Sequence, residues 1–128
     1  MRVLADTCVI LWWLADDPRL SKPARDALGD ASVEVLWSAA SSFEIALKVA
    51  LGKLDLGMPV ARFLALIQAE QALIALPIRD AHCAELAALP LHHRDPFDRM
   101  LVAQARVEGV PLLSADPKLA AYDVDVIR

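Results

Sequence analysis

The sequence predicts an α/β protein whose mostly parallel sheet of about five short strands is covered by helices on both faces. Short apolar runs recur along the 128-residue chain. Helical segments separate them, opened by Ser, Asp or Pro and closed by Gly or Pro. Most of the runs lack the polar–apolar alternation of a half-wet sheet, so both of their faces must be covered.

Each element has a local reason. Val3-Leu4-Ala5 is short and apolar, a buried first strand. Cys8 to Leu14 is apolar throughout and ends in Asp16-Asp17-Pro18, a helix with a proline stop. Ser21 to Leu28 is a second helix, with Ser21 as cap, Pro23 in the first turn and Gly29 past its end. Val33 to Trp37 is the second strand. Ser38 to Leu51 is helical and closed by Gly52, and Pro59 to Glu70 is helical. Leu73-Ile74-Ala75-Leu76 is the third strand, and Asp80 to Ala87 a further helix. Pro96 to Glu108 is a long amphipathic helix closed by Gly109. Pro111-Leu112-Leu113 is the fourth strand, and Asp116-Pro117 starts a short helical turn. Val124 to Ile127 alternates apolar and polar residues, as a fifth, edge strand would.

Composition excludes several classes. Hydrophobic residues make up 57% and charged residues 23%, unlike a disordered chain. A chain of this length buries about two-thirds of its surface, so one domain spanning residues 1–128 is expected. No apolar run is long enough to span a membrane. Asp6 stands where a signal peptide needs its apolar run, so a cytoplasmic location is expected. Cys8 and Cys83 make no disulfide framework, and buried free thiols are expected. A net charge of −4 argues against a broadly basic nucleic-acid coat, though not against a local site.

In a parallel sheet, sites form at the carboxyl ends of the strands. Asp6 follows the first strand and Asp116 the fourth. Glu44 lies early in the helix after the second strand, and Asp98 early in the long helix, with Asp95 just before it. A parallel sheet brings all of these to one edge. Two unit charges 4 Å apart repel by about 4 kcal/mol at an effective dielectric of 20. Such a cluster therefore retains protons or takes a divalent cation. Oxygen ligands without a thiolate or imidazole set suit Mg²⁺ or Mn²⁺. Simpler roles stand beside this one. Asp95-Pro96 and Asp116-Pro117 each match a helix cap followed by proline. Asp98 in a first turn merely complements the helix dipole. Glu44 and Lys48 are spaced for a surface ion pair. Asp6 is hardest to explain in this way, because it interrupts the apolar stretch from Val3 to Leu14.

The joint pattern is more specific than its parts. Leu4-Ala5-Asp6-Thr7 with Ile10-Leu11-Trp12-Trp13-Leu14 resembles the opening of PIN-domain proteins. Ser38 to Lys48, around Glu44, resembles their second acidic motif. Leu91 to Ala105, with Asp95 and Asp98, resembles the third, and Leu112-Leu113-Ser114-Ala115-Asp116 the fourth. The matches come in family order over nearly the whole chain, and small chains of this type look like VapC-type toxins. The resemblance implies a three-layer α/β/α sandwich and a metal-dependent endoribonuclease. It implies catalytic and metal-holding roles for Asp6, Glu44, Asp98 and Asp116. Asp95 is an accessory candidate, and Thr7 and Ser114 are candidates for orienting ligands. It further implies an RNA substrate, a VapB-type antitoxin and a homodimer.

Other residues are read more plainly. Lys48, Arg94 and Arg99 are candidates for RNA contact, with charge balance in an acidic rim as the alternative. His92-His93 lack the further ligands of a zinc site and read as a polar loop, with an RNA-contacting loop as the alternative. Trp12 and Trp13 point about 100° apart, so one can join the core while its neighbour stays near the surface. The competing functions are a catalytically silent PIN-like module and a receiver-like interaction module. A receiver wants paired acids after its first strand and a lysine after its last. Here Thr7 follows Asp6, and Val124 to Arg128 contains no lysine.

Overall fold

The computed structural model describes residues 1–128. The elements are β1 (Arg2–Ala5), α1 (Thr7–Leu14), α2 (Lys22–Gly29), β2 (Glu34–Ser38), α3 (Ala39–Ala50) and α4 (Val60–Ala69). They continue with β3 (Ile74–Leu76), α5 (Asp80–Ala88), α6 (Pro96–Glu108), β4 (Leu112–Leu113), a 3-10 turn (Pro117–Ala121) and β5 (Val126–Ile127). The five strands form one sheet in the order β3-β2-β1-β4-β5, and every pairing is parallel. The chain builds outward from β1 through β2 to β3, then returns to the other side of β1 for β4 and β5. The reversal falls between β1 and β4, and the crevice beyond the carboxyl ends of such strands is where ligands bind in open parallel sheets.

Both faces of the sheet are covered, which gives the three-layer α/β/α sandwich. On one side Val3, Ala5, Val35 and Trp37 pack against Ile10, Ile45, Phe63 and Ile67 from α1, α3 and α4. On the other, Leu4, Leu36 and Leu112 pack against Leu101, Val102 and Ala105 of α6. The period-two alternation of each strand therefore carries apolar residues on both faces, as a strand buried on both sides requires.

A buried polar network ties the layers together. At the end of β2, the Ser38 hydroxyl accepts from the Ala40 amide at 2.9 Å and donates to the Gln104 side-chain carbonyl. The Gln104 amide donates to the Pro77 carbonyl at 3.3 Å. Nδ1 of the fully buried His82 accepts from the Arg79 amide at 2.9 Å, so its proton sits on Nε2 and points at Glu108 at 3.0 Å. No buried side-chain polar atom is left without a partner.

Several expectations need correction. Cys8 and Cys83 are exposed rather than fully buried, Cys8 where α1 borders the acidic cleft. Trp12 and Trp13 are both half-buried. Arg19 lies over the Trp12 ring at 4.8 Å, and the Trp13 indole N–H donates to Gln71 at 3.2 Å. Gly29 is the last residue of α2 and not a stop beyond it; an added Cβ there would lie 3.7 Å from Trp13. β3 is an edge strand with Ile74 and Ala75 exposed, since only one side of it has a neighbour. Gly109 closes α6 in the left-handed region at φ 66°, where glycine has no Cβ to clash. Ala72 adopts a similar φ of 53° without that freedom. No helix is long and apolar enough to cross a membrane.

Candidate active site

Asp6 is delivered by the central strand. It follows Ala5 directly, and its amide donates to the Leu113 carbonyl at 2.9 Å, which seats it between β1 and β4. It holds the N-cap position of α1, yet its side chain makes no capping hydrogen bond. Its Oδ2 instead accepts from the Ser114 hydroxyl at 2.8 Å. Burial pushes the Asp6 carboxyl up; the Ser114 bond works against this and the Glu44 charge adds to it.

Glu44 arrives from α3. Ser38 caps that helix, so Glu44 lies beyond the capping turn, and it is only 8% exposed. One turn later Lys48 places its ammonium 2.7 Å from Glu44 Oε2. This hydrogen bond raises the Lys48 pKa above its ordinary value, against partial burial. Asp98 comes from the first turn of α6. Burial, followed by the charges of Asp95 and Asp6, pushes it from 3.8 to about 6. Asp95 caps α6, with Oδ1 accepting from the Phe97 and Asp98 amides at 2.9 and 3.1 Å. Asp116 caps the 3-10 turn by accepting from the Lys118 amide at 2.9 Å.

All five acids line one cleft of ≈ 310 Å³ together with Cys8, Trp12 and Lys48. A lone ammonium thus faces five carboxyl groups. The acids share the cleft without being drawn into a ready-made cage: no three acid, histidine or cysteine side chains are gathered closely enough to hold an ion as they stand. The donor chemistry nevertheless fits a hard divalent cation, because every candidate atom is a carboxylate or hydroxyl oxygen. Burial first, and then neighbouring carboxylates, raise Asp6 and Asp98, and a cation in the cleft would favour their ionised forms. The Cys8 thiol is pushed up by burial and then by Asp6 and Glu44, so it stays protonated and is a poor nucleophile.

The other sequence candidates separate. Thr7 is buried and donates to the Ser41 hydroxyl at 2.8 Å, joining α1 to α3 behind the acids. Arg94 is exposed in the loop before α6 and does not line the cleft. Arg99 does not reach it either. Its guanidinium donates to the Pro90 carbonyl at 2.8 Å and the Tyr122 hydroxyl at 3.0 Å, and approaches the Leu86 and Leu89 carbonyls at the end of α5. Arg99 thus ties the end of α5 to α6 in this structure.

Two features escaped sequence reasoning. Trp12 forms a wall of the cleft one helical turn beyond Cys8, and that four-residue spacing was the available signal. His93 is half-buried and links two distant groups. Its Nδ1 lies 2.7 Å from the Tyr122 hydroxyl and its Nε2 lies 3.3 Å from Asp98 Oδ2. No local pattern announces a pairing with Tyr122.

A larger hollow of ≈ 400 Å³ lies at the opposite end of α6. Its arginine, Arg106, is already paired with Glu85 at 2.6 Å and Asp123 at 3.4 Å, so chemistry there lacks a free cation.

Known proteins share both sequence and fold with this chain. The PIN domain family model matches residues 3–125. Ribonuclease VapC22 of Mycobacterium tuberculosis is 32% identical over 121 residues, covering 94% of this chain and 91% of that protein. The crystal structure of FitAcB from Neisseria gonorrhoeae superposes with a TM-score of 0.69 at 22% identity, over 98% of this chain and 96% of that one. VapBC2 from Rickettsia felis, bound to a DNA fragment from their promoter, gives 0.71 at 12% identity, over 99% and 98% of the two chains.

Proposed function

Because the chain belongs to the PIN domain family, we propose that it is a divalent-metal-dependent endoribonuclease acting as the toxin of a toxin–antitoxin pair. The observation that carries the reading is the convergence of Asp6, Glu44, Asp98 and Asp116 on one cleft at the reversal point of a parallel sheet. The ribonuclease name of a relative matched over 94% of the chain supports it. In this reading the four acids hold Mg²⁺ or Mn²⁺, with Asp95 as an accessory. When bound, such an ion would supply positive charge near the phosphate and lower the pKa of a bound water.

The chain's own groups do the rest. Ser114 holds one oxygen of Asp6 and leaves the other to the cleft. Lys48, paired with Glu44 and 44% exposed at its side chain, can turn to a substrate phosphate. No histidine pair or thiolate is set to activate the RNA's 2′-hydroxyl. In this reading water would attack phosphorus in line as the bond to the 3′-oxygen breaks; the proton the water loses is balanced by one gained at the departing 3′-oxygen, leaving a 5′-phosphate and a 3′-hydroxyl.

A VapB-type antitoxin is the partner of this reading. An arginine from it would suit the acidic cleft, since its planar fork binds carboxylates bidentately. An apolar groove of ≈ 210 Å³ lined by Leu14, Leu56, Met58, Phe63 and Leu66 offers surface for such a chain. Homodimerisation belongs to the same reading: Phe43 on α3 and Leu51 at its C-cap are 61% and 59% exposed, and an uncovered apolar stripe favours a second copy.

The test is cleavage of a mixed RNA pool by the purified chain, with and without Mn²⁺, and analysis of the product ends. Metal-dependent cleavage leaving 5′-phosphates is expected. Cleavage that persists in chelator, or products ending in a 2′,3′-cyclic phosphate, would refute the mechanism. The silent-module reading is favoured by the capping bonds of Asp95 and Asp116. It predicts no cleavage at all.

A further inference from the structure

We infer that His93 is a positioning residue for Asp98, held in one tautomer by Tyr122 and Arg99. The inference rests on the nuclease reading of the cleft. Its logic is the direction of each hydrogen bond. Arginine only donates, so the contact of Arg99 Nη1 with the Tyr122 hydroxyl, at 3.0 Å, uses a lone pair of the phenol. The phenol's own proton is then free, and the acceptor in reach is His93 Nδ1 at 2.7 Å. An imidazole that accepts at Nδ1 carries its proton on Nε2, and Nε2 faces Asp98 Oδ2 at 3.3 Å. Every link therefore donates toward the carboxylate.

The chain is built, not incidental. Tyr122 is 4% exposed, and the side chains of His93 and Asp98 are 11% and 17% exposed. The His92 and His93 rings both meet the Tyr122 ring edge-on, with centroids 4.8 and 5.4 Å away, which locks the turn before α6. Arg99 is fastened in turn to the Pro90 carbonyl. Asp98 thus receives the treatment that Asp6 receives from Ser114. In each carboxylate one oxygen, Oδ2, is held by a side-chain donor from elsewhere in the chain. Outer partners of this kind orient metal-holding groups, and losing one weakens metal affinity by about 10- to 100-fold.

The test compares the full-length wild type with His93→Phe, Tyr122→Phe and His93→Gln. Three quantities are read: Mn²⁺ affinity by calorimetry, kcat and KM on RNA, and the His93 tautomer by nitrogen NMR of the metal-free protein. Wild type should show the Nε2–H tautomer, and Tyr122→Phe should lose that preference. His93→Phe and Tyr122→Phe should weaken Mn²⁺ binding about 10-fold or more and lower kcat with little change in KM. His93→Gln should stay within roughly threefold of wild type, because its amide can donate to Asp98 while its carbonyl accepts from the phenol. A purely structural role would lower melting temperature and leave Mn²⁺ affinity alone; that result overturns the inference, as does an Nδ1–H tautomer in the wild type. Failure of the wild type itself to bind Mn²⁺ or cut RNA would sink the nuclease reading and, with it, the metal-positioning role, whatever the tautomer.

Discussion

Replacing Asp98 by Asn removes a carboxyl that the fold holds at a cost. Burial first, then the charges of Asp95 and Asp6, raise its pKa from 3.8 to about 6, with the His93 bond acting the other way. The side chain is 17% exposed, so water screens little of this. The displacement from 3.8 to about 6 corresponds to roughly 3 kcal/mol. Its sign follows from linkage. The folded chain binds this proton more tightly than the unfolded chain, so the contribution is fully present below 3.8 and is lost as pH rises through about 6. Asparagine has no such proton to lose. The variant should therefore match wild type near pH 4, gain steadily up to pH 6, and exceed it at pH 7.5 by up to roughly 3 kcal/mol. At about 3–4 °C per kcal/mol for a chain of this size, that is near 10 °C in melting temperature. Calorimetric melts in chelator across this range make the measurement. Adding Mn²⁺ should reverse the order, since the variant forfeits the stabilisation that a bound ligand confers. An Asp98→Asn variant less stable than wild type at pH 7.5 in chelator would mean that the ionised carboxylate is a structural anchor.

Other perturbations probe the scaffold. Ser114→Ala removes the donor to Asp6 Oδ2 and the acceptor for the Asp116 amide. Cleavage should fall about 10-fold with weaker Mn²⁺ affinity, measured by initial rates across a metal titration. Gln104→Leu strips partners from the Ser38 hydroxyl and the Pro77 carbonyl. It should cost about 1–3 kcal/mol in urea unfolding, and a neutral outcome would show that the network relaxes freely. Ala72→Gly relieves a left-handed backbone at φ 53° and should stabilise the fold by up to about 1 kcal/mol, visible as a higher urea midpoint.

Much of this architecture is written in local signals. Pro96 to Glu108 matches α6 from end to end, because Asp95, Pro96 and Gly109 punctuate it chemically. Strand ends are less legible: β4 keeps only Leu112 and Leu113 of its expected run, since pairing partners set the limits. The exposure of β3 depended on its place in the strand order, which no local pattern encodes. In the cleft, Asp6, Asp98 and Asp116 stood out because each follows a strand or opens a helix, whereas Glu44 lies further inside α3. The groups behind them did not. Ser41 behind Thr7, and Tyr122 behind His93, are 34 and 29 residues away in sequence. Arg99 carries the same charge whether it meets RNA or a helix end, so composition cannot tell the two apart.

The placement of β1 has a consequence for synthesis on the ribosome. It precedes the other four strands of the sheet in the chain, yet it lies in the middle of the sheet, and one of its two neighbours is completed only at Leu113. Until then the Asp6 amide lacks the Leu113 carbonyl, and its carboxyl lacks a hydroxyl 108 positions downstream. A polypeptide halted before that point carries Asp6, Glu44 and Asp98 but has an open seam where Asp116 belongs. The seam that seats Asp6 thus closes late, only once Leu113 and Ser114 have been made. On the proposed nuclease reading, a product cut short before that point would be disarmed even with most of its acids in place.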